Sequence, residues 1–245
     1  MLRGLVLALL LGVLSVPFTL NATLRLLLGD PQAAMYPLEA PWGLTGEHIA
    51  LVASTSAVAL VVGLLGAVWA HWRPGSARTL LGATGTLLQT VPPVAFLALM
   101  VPFLGFGTVP VFWALVAFGI LPIFHGALSA FDSVSVEVQD AASGLGFSRW
   151  EKLIKVDFPL ALPGIRSGLR TSVMINIGTA TVGATMGAGG LGRPILAGIS
   201  EFNYSYLLQG ALTAGVLALL ADWVLALHKK PVGTAIPFTL TSLST

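Results

Sequence analysis

The chain has 245 residues, of which 56% are hydrophobic and 9% charged, with a formal net charge of +2 and no cysteine. Soluble domains carry about 25% charged residues, so this composition excludes one and makes the lipid bilayer the solvent. Twelve Lys and Arg against ten Asp and Glu form no basic stripe for nucleic acid, and without cysteine there is no disulfide framework, thiolate metal site or cysteine nucleophile.

A helix needs roughly 20 apolar residues to cross the hydrocarbon. In chain order, six segments are predicted as spans: Gly4–Leu24, Ile49–Ala70, Thr79–Phe103, Val109–Ala127, Thr171–Met186 and Leu207–Leu227. Arg3 followed by an apolar run also fits a secretory leader, but no small-x-small cleavage site follows it and a retained span is expected. The third segment contains Pro92, Pro93 and Pro102, and the fifth is short and polar. The fold class is therefore all-α, a polytopic membrane helix bundle of about six transmembrane helices. Residues 1–48 hold the first span and an outer loop, residues 49–228 the main transmembrane domain, and residues 229–245 a C-terminal tail without helical period.

Lys and Arg favour the cytoplasmic side of a membrane protein. A cytoplasmic N-terminus places Arg3, Arg73, Arg78, Arg149, Lys152, Lys155, Arg166, Arg170, Lys229 and Lys230 inside, and leaves only Arg25 and Arg193 outside. Both termini are then cytoplasmic. So is the longest internal loop, about residues 128–170. Residues 25–48 and the glycine-rich residues 187–206 face outward.

Six of the 22 charged residues fall in the stretch DAASGLGFSRWEKLIKVDFP at 140–159. A short helix is predicted through Asp140, Ala141 and Ala142, ending at Gly144 and Gly146, since glycine tolerates the left-handed conformation that closes a helix. A second begins with Ser148 as N-cap and Glu151 at the capping-box position. Pro159 is expected to stop or kink it. The face carrying Phe147, Trp150, Leu153 and Ile154 among charges suits docking to another protein.

Asp140-Ala141-Ala142, three residues, Gly146, nine residues, Val156, one residue, Phe158-Pro159 resembles the EAA loop of ABC-importer permease subunits, with Asp for Glu, Val for Ile and Phe for Leu. The resemblance implies that this helix-turn-helix loop docks on a separate ATPase subunit, with Asp140, Ala141 and Ala142 in the docking helix, Gly146 at the turn and Pro159 leading back to the membrane. It implies ATP and Mg on that partner and no cofactor in this chain. It also implies a second permease subunit, identical or paralogous, an external substrate-binding protein, and residence in the inner membrane of a prokaryote. Gln89-Thr90-Val91-Pro92-Pro93, Gly105 to Pro110, Ile175 to Thr181 and Gly187 to Gly192 resemble the branch that imports glycine betaine, choline and carnitine. Phe124-His125-Gly126 departs from that branch, where a basic or amide-bearing turn is expected. The same machine with another small solute, such as an amino acid or sulfonate, and an ion-coupled carrier are the competing readings.

Asn176, Thr179 and Gly183 share one helical face, which lines a translocation path or holds helices together. Gln89 and Pro92 sit at a proline break whose freed carbonyls face a cation or mark a packing kink. Asp222, near the end of the last span, is expected to pair with a basic loop residue or to reach the interface. His48, His71, His125 and His228 lie near span ends without ligand spacing, so interfacial roles are expected rather than metal binding. The glycine run at 187–192 lacks the lysine of a phosphate-binding loop.

Overall fold

The computed structural model describes residues 2–29, 35–73, 75, 78–79, 82–83, 85 and 90–226. All regular structure among them is helical. In chain order the elements are α1 (Leu2–Ser15), α2 (Pro17–Leu28), α3 (Pro41–Trp72), α4 (Pro93–Leu104), α5 (Thr108–Asp132), α6 (Val136–Gly144), α7 (Arg149–Lys152), a π-helical turn (Leu153–Asp157), α8 (Phe158–Gly183), a 3-10 turn (Ala184–Met186), α9 (Gly192–Ser200) and α10 (Tyr204–Ala226).

The centre of the bundle is the antiparallel pair α5 and α8, joined by α3 running parallel to α5. Glycines set their distance. A Cβ on Gly168 would stand 2.5 Å from the Pro122 carbonyl oxygen, and one on Gly126 would stand 2.8 Å from the Gly164 carbonyl oxygen. On the α3 side, a Cβ on Gly63 would meet the Ile120 carbonyl oxygen at 3.0 Å. These backbones touch because no side chain intervenes, the usual way membrane helices gain dispersion contact where lipid supplies no hydrophobic drive. Around this seam Leu51, Val52, Val111, Leu115 and Ile177 form one apolar core. A second core at the far end gathers Ala67, Phe124, Phe131, Leu153 and Ile165.

Three helices are long and apolar enough to cross a membrane, α3, α5 and α10, and the bent pair α1–α2 makes a fourth if it is one span. Against the six expected, the described residues supply three such helices, or four with the bent pair. The segment expected at 171–186 is the second half of α8, whose Arg166 and Arg170 lower its apolarity, followed by the 3-10 turn. The segment expected at 79–103 falls partly outside the described residues; its described helix is α4, of 12 residues. The first segment is not one straight helix: α1 and α2 meet at 93°. Pro17 causes the break, because it occupies the first position of α2 and has no N–H for the preceding turn.

Boundaries moved where helices continue beyond the hydrocarbon. α3 starts at Pro41 rather than Ile49 and has 32 residues, about 48 Å at 1.5 Å per residue, against a core of about 30 Å. α5 runs through His125 and Gly126 to Asp132, so no turn follows Ala127. The expected outer loop at 187–206 contains α9.

Filling the seam tests its role. Gly168→Val should cost about 1–3 kcal/mol, the usual range for overpacking a tight contact, and lower the midpoint of unfolding in detergent. Gly144→Val, where a Cβ meets nothing within 4 Å, should leave that midpoint closer to the parent. Equal midpoints for the parent and Gly168→Val would contradict the seam.

Candidate functional site: a helical hairpin and its polar foot

Residues 136–157 form a hairpin at the end of the bundle where α3 and α5 terminate. α6 begins after Ser135, and Glu137 lies in its first turn. The Glu137 carboxyl is held below the usual carboxylate range by its own backbone N–H and by Ser135. α6 closes with a Schellman motif. Gly146 takes φ +80, its N–H donates to the Ser143 carbonyl at 2.9 Å, and the Phe147 N–H donates to the Ala142 carbonyl at 3.1 Å.

The chain then re-enters helix through a capping box. The Glu151 N–H donates to Ser148 Oγ at 3.3 Å, and the Ser148 N–H donates to Glu151 Oε2 at 3.0 Å. Lys155 Nζ bonds the other carboxylate oxygen at 3.0 Å. The Ser148 backbone N–H, followed by Lys155, holds the Glu151 carboxyl down to about 2. Lys152 Nζ reaches back to Ser143 Oγ at 3.1 Å, tying the two arms.

Pro159 does not stop the helix. The preceding turn widens instead: the Phe158 N–H bonds to the Leu153 carbonyl, five residues back. That π-helical register makes room for a proline that can neither donate to the ladder nor tolerate a normal turn before it. Helix is thus continuous from Arg149 through Gly183.

The motif residues come together on this hairpin. Asp140, Ala141, Gly146 and Pro159 are exposed and Ala142 is buried beneath them. Leu145, Trp150 and Ile154 expose 75%, 61% and 63% of their surface, an apolar rim around the turn. Leu153, expected on that face, is instead buried against the bundle.

Below the hairpin lies a polar foot. Asp157, on the widened turn, is 3% exposed. Gln139 Nε2, on α6, donates to its Oδ1. His71 Nε2, in the last turn of α3, stands 3.7 Å from its Oδ2. His71 Nδ1 is 3.9 Å from Asp132 at the end of α5, and Arg78 pairs with Asp132. His71, Trp72, Gln139, Arg149, Lys152 and Asp157 line a cleft of about 220 Å³. Sequence reasoning missed Asp157 and Gln139 as partners because only the fold brings positions 18 apart across the hairpin. The signal present was a lone acid beside Pro159.

The residues proposed for a path are scattered. Gln89 lies outside the described residues. Pro92 is exposed at the N-cap of α4. Asn176 is 0% exposed, and its Nδ2 donates to Ser56 Oγ at 3.1 Å, tying α8 to α3. Thr179 is buried on the same face of α8. His48 is not interfacial: it is 1% exposed and its Nε2 lies 3.2 Å from the Ile177 carbonyl oxygen. Asp222 pairs with Arg170 of α8, whose Nη2 donates to Oδ2 at 2.6 Å. Among the described residues no cluster of His, Asp and Glu could hold a metal.

Residues 59–232 match the family described as binding-protein-dependent transport system inner membrane component. An osmoprotectant import permease protein of Salmonella typhimurium, OsmW, is 37% identical over 187 residues, 74% of this chain and 86% of the relative. A glycine betaine/carnitine/choline transport system permease protein of Bacillus subtilis, OpuCB, is 34% identical over 193 residues, 77% of this chain and 86% of the relative. Among solved structures, a chain of the inward-facing MetNI methionine ABC transporter superposes with a TM-score of 0.66 at 20% identity, covering 73% of this chain and 89% of that one.

The capping box gives two local expectations. Ser148→Ala should cost about 1 kcal/mol of helix stability and raise amide hydrogen exchange over residues 149–152. The Glu151 carboxyl sits below its ordinary value, so its stabilising share is complete above about pH 4.5 and fades as pH falls toward 2. Glu151→Gln should remove that acid dependence of exchange.

Proposed function

Given that the chain belongs to the family of binding-protein-dependent transport system inner membrane components, we propose that it is the permease subunit of an ATP-driven importer for a quaternary-amine osmoprotectant. Glycine betaine, choline and carnitine define the cargo class, which the two permease relatives above support.

The observation that carries the mechanism is the hairpin at 136–157, closed at both arms by local hydrogen bonds and presenting an apolar rim. It projects into the cytoplasm, as the ten-to-two placement of Lys and Arg under a six-span topology supports. Both termini share that side. Asp140, Ala141 and Ala142 form the docking helix for a separate ATPase subunit, Gly146 is the turn, and Pro159 begins the return to the membrane. ATP and Mg bind on that partner. A second permease, identical or paralogous, completes the path, and an external binding protein delivers the solute.

Transport then needs no chemistry in this chain. Closure of the ATPase pair displaces the hairpin, and the continuous helix behind it carries the displacement into the membrane. Pro92, Asn176 and Thr179, with Gln89, are the residues assigned to the path. Strong cation capture belongs to the binding protein, so the permease needs only a passable, weakly binding route.

A single cysteine at Ser148 tests the docking, because the parent has none. Ser148→Cys should cross-link to a nucleotide-binding ATPase in native membranes. Inserted, well-expressed protein that yields no such adduct there or at neighbouring hairpin positions would sink the reading. Uptake of labelled glycine betaine or choline should be competed by other quaternary amines; indifference to all of them would remove the cargo class while leaving the machine.

A further inference from the structure

We infer that Asp157 is a positioning residue for transport, the point at which movement of the docking hairpin enters the transmembrane helices. The inference rests on the reading that α6 docks on an ATPase.

The docking helix has little packing of its own against the bundle: Ala142 is its one buried residue. Beside the exposed Lys152–Ser143 bond between the arms, its grip on the helix entering the membrane is the bond from Gln139 to the buried Asp157. Gln139 immediately precedes Asp140, so the donor stands beside the docking surface. The same carboxylate faces His71 Nε2 at 3.7 Å, and His71 faces Asp132 at 3.9 Å. One buried acid thus stands between the docking helix, the start of α8, and the ends of α3 and α5.

Burying a carboxylate is costly, and an apolar residue of similar size is often at least as stabilising. Asp157 is therefore poorly explained by stability. A directional bond does something an apolar contact does not: it resists sliding, so it carries a pull as well as a push. The adjacent contact between hairpin and α3, the edge-to-face pair Trp72–Trp150 at 4.6 Å, is a ring contact rather than a hydrogen bond. The acid sits on the π-helical turn, a local widening of the kind found most often at functional sites.

The test uses the whole transporter, with its ATPase and binding protein, reconstituted in vesicles with labelled glycine betaine. Each variant also carries Ser148→Cys, so the ATPase adduct reports docking separately from coupling. Gln139→Leu and Asp157→Leu should still give the adduct while ATP hydrolysed per glycine betaine moved rises about fivefold or more, the lower end of coupling between sites. The double variant should be no worse than either single one, because both cut the same link. Asp157→Asn, which keeps an acceptor for Gln139, should return the ratio most of the way to the parent value. An intact adduct with an unchanged ratio in Gln139→Leu overturns the inference alone, and this half-buried position decides even if Asp157→Leu fails to assemble. Additive effects in the double variant also overturn it. Absence of the adduct in the Ser148→Cys parent overturns the docking reading and this inference together.

Discussion

The structure depends on backbone contact between α5 and α8. Lipid chains are as apolar as leucine, so burying leucines does not drive membrane helices together. Approach close enough for backbone atoms to touch does, and it requires Gly126, Gly164 and Gly168. The seam fixes more than the pair itself. Further along it, a Cβ on Gly119 would stand 2.8 Å from Ser172 Oγ and 3.1 Å from Asn176 Nδ2. The space that glycine leaves is therefore filled by Ser172 and Asn176 of α8, and the Asn176 Nδ2 reaches across to Thr55 and Ser56 of α3. One steric constraint sets three helices in register.

That register decides what happens at the end of the bundle. With α3, α5 and α8 aligned, His71, Asp132 and Asp157 arrive at one level beneath the hairpin. The hairpin above is built differently. Its shape comes from short-range bonds, a left-handed glycine closing one arm and a serine and a glutamate opening the next. A rigid local unit sits on a polar foot that only the long-range packing can assemble. Such a division suits a part that must be pushed from outside without losing its own form.

The polar residues inside the bundle follow the same logic. The Asn176 Nδ2 group and the Arg170–Asp222 pair face neighbouring helices, where they meet partners rather than lipid. Arg193 at the other end pairs with Glu39 and stands near Glu47, holding the segment before α3 against α9. Charge in this chain binds helices to one another at both ends and in between.

Much of this was legible in the sequence because it is local. Gly146 in a left-handed turn, Ser148 with Glu151 as a capping box, and the proline break at Pro92–Pro93 each need only a few neighbouring residues. Apolar length alone also marked α3, α5 and α10 as spans, and a basic partner was one of two readings for Asp222, which the fold decides by bringing Arg170 to it. What only the tertiary structure decided has a common cause, the joining of distant residues or competition between a local rule and packing. Pro159 is a helix breaker in isolation, but the π-helical turn before it lets the helix run on to Gly183. His48 is interfacial by position, yet the glycine-rich loop packs over it and buries it. Asn176 is polar in a span by sequence, and the Gly119 gap turns it toward α3. Asp157 is one acid among several until folding sets Gln139 and His71 against it. Sequence spacing encodes which bonds a residue can make within a turn; which distant backbone comes close enough to touch is decided by the glycine seam.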